Sequence, residues 1–324
     1  VFLPGVREID RAFDALGACG DDIVVHKLHG QIDPAAQRLA VRRDVAGRRK
    51  VIFATNIAET SLTIDGVRVV IDSGLARRAR FDQAAGVTRL VTERASLSAA
   101  TQRAGRAARQ QAGIAYRLWE EAGNGGLPPF DPPEILESDL APLLLDCARW
   151  GENDPAKLRW LDLPPAAAVQ QARKLLMSVD ALGAQGHITP HGTMLANLPL
   201  PPNLAHMVAV AAQSGQAENA AMLAVLLQER GLGGQGEDIE TRFERFVRER
   251  GAKADAARML AQRIARLCGA SGDKQTLSIG GLIGSAFPDR IAKRRDAKGE
   301  KWISAMGRGL QLDAASLLAR AEWL

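Results

Sequence analysis

The sequence has few of the residues that mark stacking surfaces, disulfide frameworks or membrane insertion. Aromatic residues make up only 4% of the chain, so ring stacking cannot dominate any binding surface. Cys19, Cys147 and Cys268 are odd in number and far apart, which gives neither a disulfide framework nor metal-ligand spacing. No apolar run approaches the length of a membrane span. We therefore expect a cytoplasmic protein without a membrane partner.

Two short signatures of phosphate chemistry are also missing. The sequence contains no Gly-x-x-x-x-Gly-Lys-Ser/Thr loop and no Asp followed directly by Glu. His187 and His191 are four residues apart, but Pro190 interrupts any helix that would place both on one face. The sequence therefore predicts no metal site and no complete phosphate-cradling loop.

Arginine is abundant, and it is concentrated in one stretch. The chain has 33 Arg and 9 Lys against 37 acidic residues, which gives a net charge of +5. Between Arg77 and Arg109 there are eight arginines and only two acidic residues, Asp82 and Glu93. Such a local excess of positive charge indicates a polyanionic partner.

The first 122 residues have the pattern of a parallel α/β unit, in which buried strands alternate with helices. Strands are expected at residues 1–3, 22–28, 50–54, 67–71 and 112–118. Helices are expected at residues 6–16 and after Asp33, which precedes Pro34 as an N-cap precedes the first helical position. Residues 77–81 and 86–91 are the expected arms of a hairpin.

A linker rich in Gly and Pro at residues 123–133 separates this unit from a mainly helical part. Helices at 136–150 and 166–182, followed by a turn–strand–turn at 183–192, have the order of a winged-helix module. Longer helical stretches are expected at 203–228 and 238–268, and short apolar runs with Gly follow. We predict four domains, at residues 1–122, 123–200, 201–272 and 273–324.

Residues 102–109, QRAGRAAR, form what we call the arginine run. If it is helical, Gln102, Arg106 and Arg109 are spaced i, i+4 and i+7 and share one face, with Arg103 beside it. Planar guanidiniums with small neighbours are suited to binding phosphate in a bidentate manner. The alternative is a solvated basic helix on an arginine-rich protein.

Residues 54–67, ATNIAETSLTIDGV, form what we call the polar segment. It begins where the third expected strand ends, and ligands of parallel α/β sheets bind at this carboxyl edge. Its side chains can hydrogen-bond phosphate, ribose or ordered water. They are Thr55, Asn56, Glu59, Thr60, Ser61, Thr63 and Asp65. The alternative is an ordinary polar loop with helix caps.

In order and spacing, the runs VFLPGVREI, LHG, ATNIAETSLTIDGV, VVIDSG and QRAGRAAR resemble motifs IV, V and VI of the second RecA-like domain of DEAH-box helicases. The later runs FPDRIAKRR, MGRGLQL and AEWL are most similar to bacterial HrpB-type helicases. The resemblance implies an α/β RecA-like domain with a parallel sheet of the P-loop NTPase type. Mainly α winged-helix and helical-bundle (ratchet-like, HA2) domains and the start of a small OB-like β region would follow. It also implies a C-terminal fragment, with the first RecA-like domain missing in cis.

The same resemblance assigns roles to residues. Arg106 and Arg109 would be arginine fingers on the γ-phosphate of ATP, exposed and unpaired in this chain, and Gln102 would hold the attacking water. Three residues of the polar segment would contact the nucleotide: Ser61, Thr63 and Asp65. Five would contact single-stranded RNA: Thr55, Asn56, Arg77, Arg78 and Arg80. Mg²⁺ would be bound by the missing half. We expect a monomeric 3′→5′ ATP-dependent RNA helicase, and we expect this fragment alone not to hydrolyse ATP.

Three positions depart from the family pattern. Ala108 stands where the family usually has Gly, and Thr193 stands where the wing usually has Arg. Ala40 replaces an aromatic residue that stacks on adenine in many members, so other NTPs are also expected to be accepted. Two alternatives stay open: a non-catalytic nucleic-acid-binding or adaptor module, and a DNA helicase.

Overall fold

The structure is a computed structural model, and it describes residues 1–59, 62–82, 87–229, 231–269, 277–296 and 300–324. The chain divides into two compact units, residues 1–138 and 139–324. The first unit includes residues beyond the predicted boundary at 122, since the Phe81 amide donates to the Glu137 carbonyl over 2.7 Å. The other predicted boundaries stay predictions. In the described part of the chain, no helix combines the length and apolarity needed to cross a membrane.

The first unit is built on a parallel sheet. Strand β1 (Ile23–Leu28) pairs with β2 (Arg49–Ala54), and β3 (Val69–Asp72) pairs with β6 (Ile114–Arg117). Phe2 joins the two pairs because it bridges both Ala54 and Asp72 in parallel. The order is therefore β1, β2, residues 1–3, β3 and β6, with all carboxyl ends at one edge. The predicted parallel sheet is confirmed.

Helices and a hairpin surround this sheet. Helices α1 (Val6–Leu16) and α2 (Pro34–Val41) lie where the sequence predicts them, and the Asp33 side chain accepts a hydrogen bond from the Ala36 amide over 3.2 Å. The predicted hairpin is confirmed and longer than expected, formed by β4 (Leu75–Asp82) and β5 (Val87–Arg94). Helix α3 (Leu97–Gly105) follows it. The core is apolar and small-residue-rich, built from Phe2, Leu28, Ala40, Ala54, Ala58, Val70 and Ala107.

The second unit is mainly helical, and its helices are shorter than predicted. They are α4 (Ala141–Trp150), α5 (Ala166–Ser178), α6 (Pro190–Leu195), α7 (Pro202–Gln213), α8 (Ala217–Gln228), α9 (Ile239–Arg248), α10 (Ala252–Cys268) and α11 (Ile279–Ala286). The stretches predicted as single helices at 203–228 and 238–268 are each two helices. They break at Gly215 (φ 69°) and Gly251 (φ 123°), a left-handed backbone that glycine adopts readily.

The small β elements of the second unit differ from their predicted form. The expected wing at residues 183–192 forms one antiparallel bridge, from Ile188 to Leu182 just before it, because Thr189 and Pro190 begin helix α6 at once. A three-stranded antiparallel sheet of β7 (Ala292–Arg294), β8 (Lys301–Ser304) and β9 (Gly309–Gln311) lies where the β-rich region was expected. Assignment of these parts as winged-helix and OB-like stays a prediction.

Candidate functional site

The polar segment and the arginine run lie side by side, and their contacts follow the same order along both. Arg103 contacts Glu59, and Arg106 contacts Glu59 and Leu62. Just beyond the run, Gln110 contacts Asp65 of the polar segment. Ala107 anchors the run because it is buried in the same apolar cluster as Ala58 and Leu62. The two stretches predicted to carry function are thus parts of one surface.

The arginine run is not one continuous helix, so the condition on which its common face was predicted is not met. Helix α3 ends at Gly105, and the amides of Arg106, Ala107 and Ala108 donate to carbonyls three residues earlier at 3.0–3.3 Å. This tighter winding changes the spacing of the side chains, so Gln102 lies on the helix and Arg109 lies beyond it. The three arginines of the run consequently occupy different environments.

Arg103 is buried, with 1% of its surface exposed. Its guanidinium donates to the Glu59 carboxylate at 2.9 Å, to the Asp72 carboxylate at 3.0 Å and to the Leu75 carbonyl at 3.1 Å. It also lies over the Phe2 ring, 5.3 Å from the centroid. These contacts, all within the first unit, are those of a structural residue.

Arg106 is half-buried, and its partners are backbone carbonyls. Its Nε and Nη2 both donate to the Glu59 carbonyl, the former over 2.8 Å, and its Nη1 donates to the Leu62 carbonyl over 2.9 Å. Burial, and then the nearby positive charge of Arg109, lower the pKa of the Arg106 guanidinium. The expectation that Arg106 is exposed and unpaired is therefore wrong, because the polar segment offers it carbonyl oxygens.

Gln110 is a functional candidate that sequence reasoning missed. Its amide nitrogen donates to the Asp65 carboxylate over 3.0 Å, and its amide oxygen accepts from the Gly66 amide over 3.0 Å. Gln110 thereby fixes the orientation of Asp65, one of the predicted nucleotide contacts. Its only sequence signal is its position directly after the arginine run.

The remaining predicted nucleotide and catalytic residues are exposed. Gln102, Thr63 and Arg109 are exposed, and none of these three side chains has a hydrogen-bond or ion-pair partner among the residues that the structure describes. Ser61 lies outside the described residues. Arg109 thus has the expected exposure, and its role as an arginine finger stays a prediction.

Two predicted nucleic-acid contacts begin the polar segment. Thr55 is half-buried at the end of β2, and Asn56 is exposed at the start of a 3₁₀ turn, Asn56–Ala58. Ala40 is fully buried, and its carbonyl accepts a hydrogen bond from the Lys50 ammonium over 2.6 Å. It therefore offers no surface on which a base could stack.

The hairpin arginines are paired with carboxylates. Arg77 contacts Glu8 at 3.5 Å, and Arg78 contacts Glu93 at 3.2 Å and also Asp131. Arg80 contacts Glu93 at 2.6 Å and Glu137 at 3.3 Å, and 47% of its side chain stays exposed, against 13% for Arg78. Most of these acids come from outside the hairpin.

Comparison with known proteins adds independent support. The family model described as the helicase conserved C-terminal domain matches residues 1–111. Residues 1–111 therefore carry a helicase C-terminal domain. The ATP-dependent RNA helicase HrpB of Escherichia coli is 39% identical over 100% of this chain and 39% of its own length. The probable ATP-dependent RNA helicase DHR2 of Saccharomyces cerevisiae is 36% identical over 66% of this chain and 30% of its own length.

Solved structures agree with the same assignment. The crystal structure of the E. coli DEAH/RHA helicase HrpB superposes with a TM-score of 0.86 at 38% identity, and it covers 99% of this chain and 40% of that chain. The resemblance to HrpB-type DEAH-box helicases, drawn from the motifs, is therefore confirmed. The helicase domain and the residues after it span about two fifths of the length of the E. coli relative.

Proposed function

We propose that this chain supplies the arginine-bearing side of the nucleotide site and part of the RNA path of a 3′→5′ ATP-dependent RNA helicase. One observation carries the proposal. The arginine run is fixed along the polar segment, while Arg109 remains exposed with no partner among the described residues. The two relatives named above are called ATP-dependent RNA helicases, which agrees with this assignment.

In this proposal Arg109 is the principal arginine finger. The transition state of phosphoryl transfer spreads negative charge over the phosphoryl oxygens, and a finger accelerates it about 10³–10⁵-fold. Arg106 is the second finger. It exchanges neutral carbonyl partners for a charged phosphate, which makes stronger hydrogen bonds. Gln102 orients the attacking water, and Ser61, Thr63 and Asp65 contact the nucleotide, with Asp65 held by Gln110.

The phosphate cradle and the metal belong to another RecA-like domain, acting in cis. The chain has guanidiniums for phosphate, but no Gly-x-x-x-x-Gly-Lys-Ser/Thr loop occurs in its sequence. Among the described residues, no group of three His, Cys, Asp or Glu side chains is placed to hold a metal ion. When bound by that other domain, Mg²⁺ would neutralise phosphate charge. ATP is the expected nucleotide, and other NTPs are accepted because buried Ala40 provides no stacking ring.

Single-stranded RNA would pass the start of the polar segment and the hairpin. Thr55 and Asn56 are suited to the sugar–phosphate backbone, and such contacts carry little base information. Of the three hairpin arginines, Arg80 is the best placed for phosphate because it is the most exposed. Arg77 and Arg78 serve the RNA path through the hairpin's shape, since carboxylates already hold them. We further propose a monomeric cytoplasmic protein, in agreement with three free cysteines.

The test is ATP turnover by this chain alone and by the chain joined to a RecA-like domain with a phosphate loop. The 324 residues alone should give no RNA-stimulated turnover, and the joined protein should give it. Turnover by the 324 residues alone would contradict the proposal. Matched single-stranded RNA and DNA, compared at the same salt concentration, decide between an RNA and a DNA helicase. RNA binding by the joined protein without any turnover would favour the non-catalytic module.

A single substitution tests the assignment of Arg106 as an arginine finger. Arg106→Ala in the joined protein should abolish ATP hydrolysis and leave RNA affinity nearly unchanged, because Arg106 contacts the Glu59 and Leu62 carbonyls and none of the residues proposed to contact RNA. Persisting hydrolysis would exclude Arg106 as a finger.

A further inference from the structure

We propose that Arg103 is a positioning residue that couples the polar segment to the base of the β4–β5 hairpin. Its guanidinium contacts residues of both parts, with Glu59 on one side and Asp72 and Leu75 on the other. Movement of one part then changes the hydrogen bonds available to the other. The functional consequence, that nucleotide-dependent changes reach the hairpin, rests on the proposed function.

On the polar segment, the side chain and the backbone carbonyl of Glu59 both accept hydrogen bonds from the arginine run. Its carboxylate accepts from Arg103 over 2.9 Å, and its backbone carbonyl accepts from Arg106 over 2.8 Å. Burial raises the pKa of the Glu59 carboxyl, and the Arg103 guanidinium opposes this effect. If Arg106 leaves the Glu59 carbonyl for a phosphate, the backbone at Glu59 loses two hydrogen bonds. The ion pair with Arg103 then becomes the main restraint on that residue.

On the hairpin side, the contacts lie where β3 ends and β4 begins. One oxygen of the buried Asp72 carboxylate, Oδ1, accepts both from Arg103 over 3.0 Å and from the Gly74 amide over 2.9 Å. The Leu75 carbonyl, at the first residue of β4, accepts from the same Arg103 nitrogen over 3.1 Å. The Ala95 amide donates to the Gly74 carbonyl over 2.9 Å, which closes the base of the hairpin. A shift of Arg103 therefore changes the hydrogen bonds that hold the end of β3 and the start of β4.

The geometry makes this a bridge rather than two independent contacts. Arg103 has 2% of its side chain exposed, and its two carboxylate partners have 12% and 3%, so water cannot replace a lost partner freely. A guanidinium has a fixed planar fork, so turning one nitrogen towards a partner turns the others away. Lysine, a point charge on a flexible stem, cannot hold both sides at once.

Amide hydrogen exchange of the 324-residue chain tests the coupling. Glu59→Gln removes the charge on the polar-segment side only, and it should speed exchange at Gly74 and Ala95 by about fivefold, the lower end of typical coupling between sites. Asp72→Asn perturbs the hairpin side, and because coupling is reciprocal it should speed exchange at Ala58 and Glu59. The matched control is Asp10→Asn, which removes a carboxylate from the Lys27 ion pair (2.6 Å) and should leave all four amides unchanged.

Exchange changes confined to the mutated side in both variants would overturn the proposal. If either variant fails to fold, Arg103→Lys decides, since it keeps the charge and should speed exchange at both sites together. If Arg103→Lys left amide exchange unchanged at the polar segment or at the hairpin base, the proposal would also be overturned. In the joined protein, Glu59→Gln should also lower the number of base pairs unwound per ATP, because the hairpin would follow the nucleotide site less closely. Absence of any turnover there would count against the proposed function, while the exchange result would still decide the coupling.

Discussion

Arginines of the β4–β5 hairpin and of the arginine run come from the same stretch of sequence, but their partners differ. Arg77, Arg78 and Arg80 each contact at least one carboxylate. Arg106 contacts only neutral carbonyls, and Arg109 contacts nothing among the described residues. The charges of these three hairpin arginines are thus compensated within the chain, and the charges of Arg106 and Arg109 are not. The uncompensated pair is the one suited to an external phosphate.

The difference shows why a local charge count is a poor guide to a binding surface. Only two acidic residues lie between Arg77 and Arg109 in sequence. The structure adds Glu8, Asp131 and Glu137, which contact hairpin arginines from distant positions. No comparable acid contacts Arg106 or Arg109 in the described part of the chain. The net charge around each arginine therefore depends on which acidic residues the fold brings near it, and not only on the composition of residues 77–109.

The largest effect is expected for the arginine without a partner. Arg109→Ala in the joined protein should lower ATP turnover by about 10³–10⁵-fold, because it removes charge that stabilises the transition state. Its free energy of unfolding should stay within about 0.5 kcal/mol of wild type, as for other exposed sites. Steady-state turnover and urea denaturation measure the two quantities. If Arg109→Ala lowered stability but kept ATP turnover, Arg109 would serve the fold rather than an external phosphate, and the comparison with the hairpin arginines would fail.

The next effect concerns stability alone. Arg103→Met leaves the buried carboxylates of Glu59 and Asp72 uncompensated, and it should lower the free energy of unfolding by about 3–5 kcal/mol. Urea denaturation, with Arg109→Ala as the matched arginine control, measures it. Equal stabilities of the two variants would show that the Arg103 network contributes nothing.

A smaller effect is expected within the hairpin. Arg80→Ala should weaken single-stranded RNA binding a few-fold and reduce the slope of log affinity against log salt by about 0.7, the value for one phosphate contact. Arg78→Ala is the control, since its side chain is only 13% exposed and already held by two acids. Salt titrations of RNA affinity measure both slopes. Equal changes for Arg78 and Arg80 would mean that pairing does not decide which arginine contacts RNA.

The smallest effect is expected for a pair of neutral histidines in the second unit, which differs from the ionic network of Arg103 in carrying no charge. His191 Nε2 and His206 Nδ1 are 2.9 Å apart, and burial lowers the pKa of both imidazoles from 6.5. The unfolded chain then binds protons more readily, so this stability is complete above pH 6.5 and is lost as pH falls below it. His206→Gln should reduce that pH dependence, measured by urea midpoints between pH 5 and 7.5. An unchanged pH dependence would exclude the pair as its source.

Much of the first unit follows from sequence patterns. Buried apolar runs predicted the parallel strands, and Asp33 with Pro34 predicted the start of α2. Two features did not follow. Phe2 joins two strand pairs through backbone bonds that any residue could make. Gly105 ended a helix that its alanine-rich sequence could have continued.

The candidate site was predicted in its members but not in its contacts. Motif letters identified Arg106 and Arg109, but carbonyl partners of Arg106 have no side-chain signature in sequence. Gln110 lies outside any motif, and its role depends on the turn that brings it to Asp65. In the second unit, alanine-rich helices carried no signal strong enough to reveal the breaks at Gly215 and Gly251.

The central claim is that the uncompensated charge beyond helix α3 meets the nucleotide's terminal phosphate. The most direct test is a structure of the joined protein with RNA, Mg²⁺ and ADP–aluminium fluoride, in which the distance from the Arg109 guanidinium to the fluoride is measured. We predict about 3 Å, a charge-assisted hydrogen bond, with Arg106 moved from the Glu59 carbonyl to the same group. An Arg109 that stays in solvent while the fluoride is bound would contradict the account.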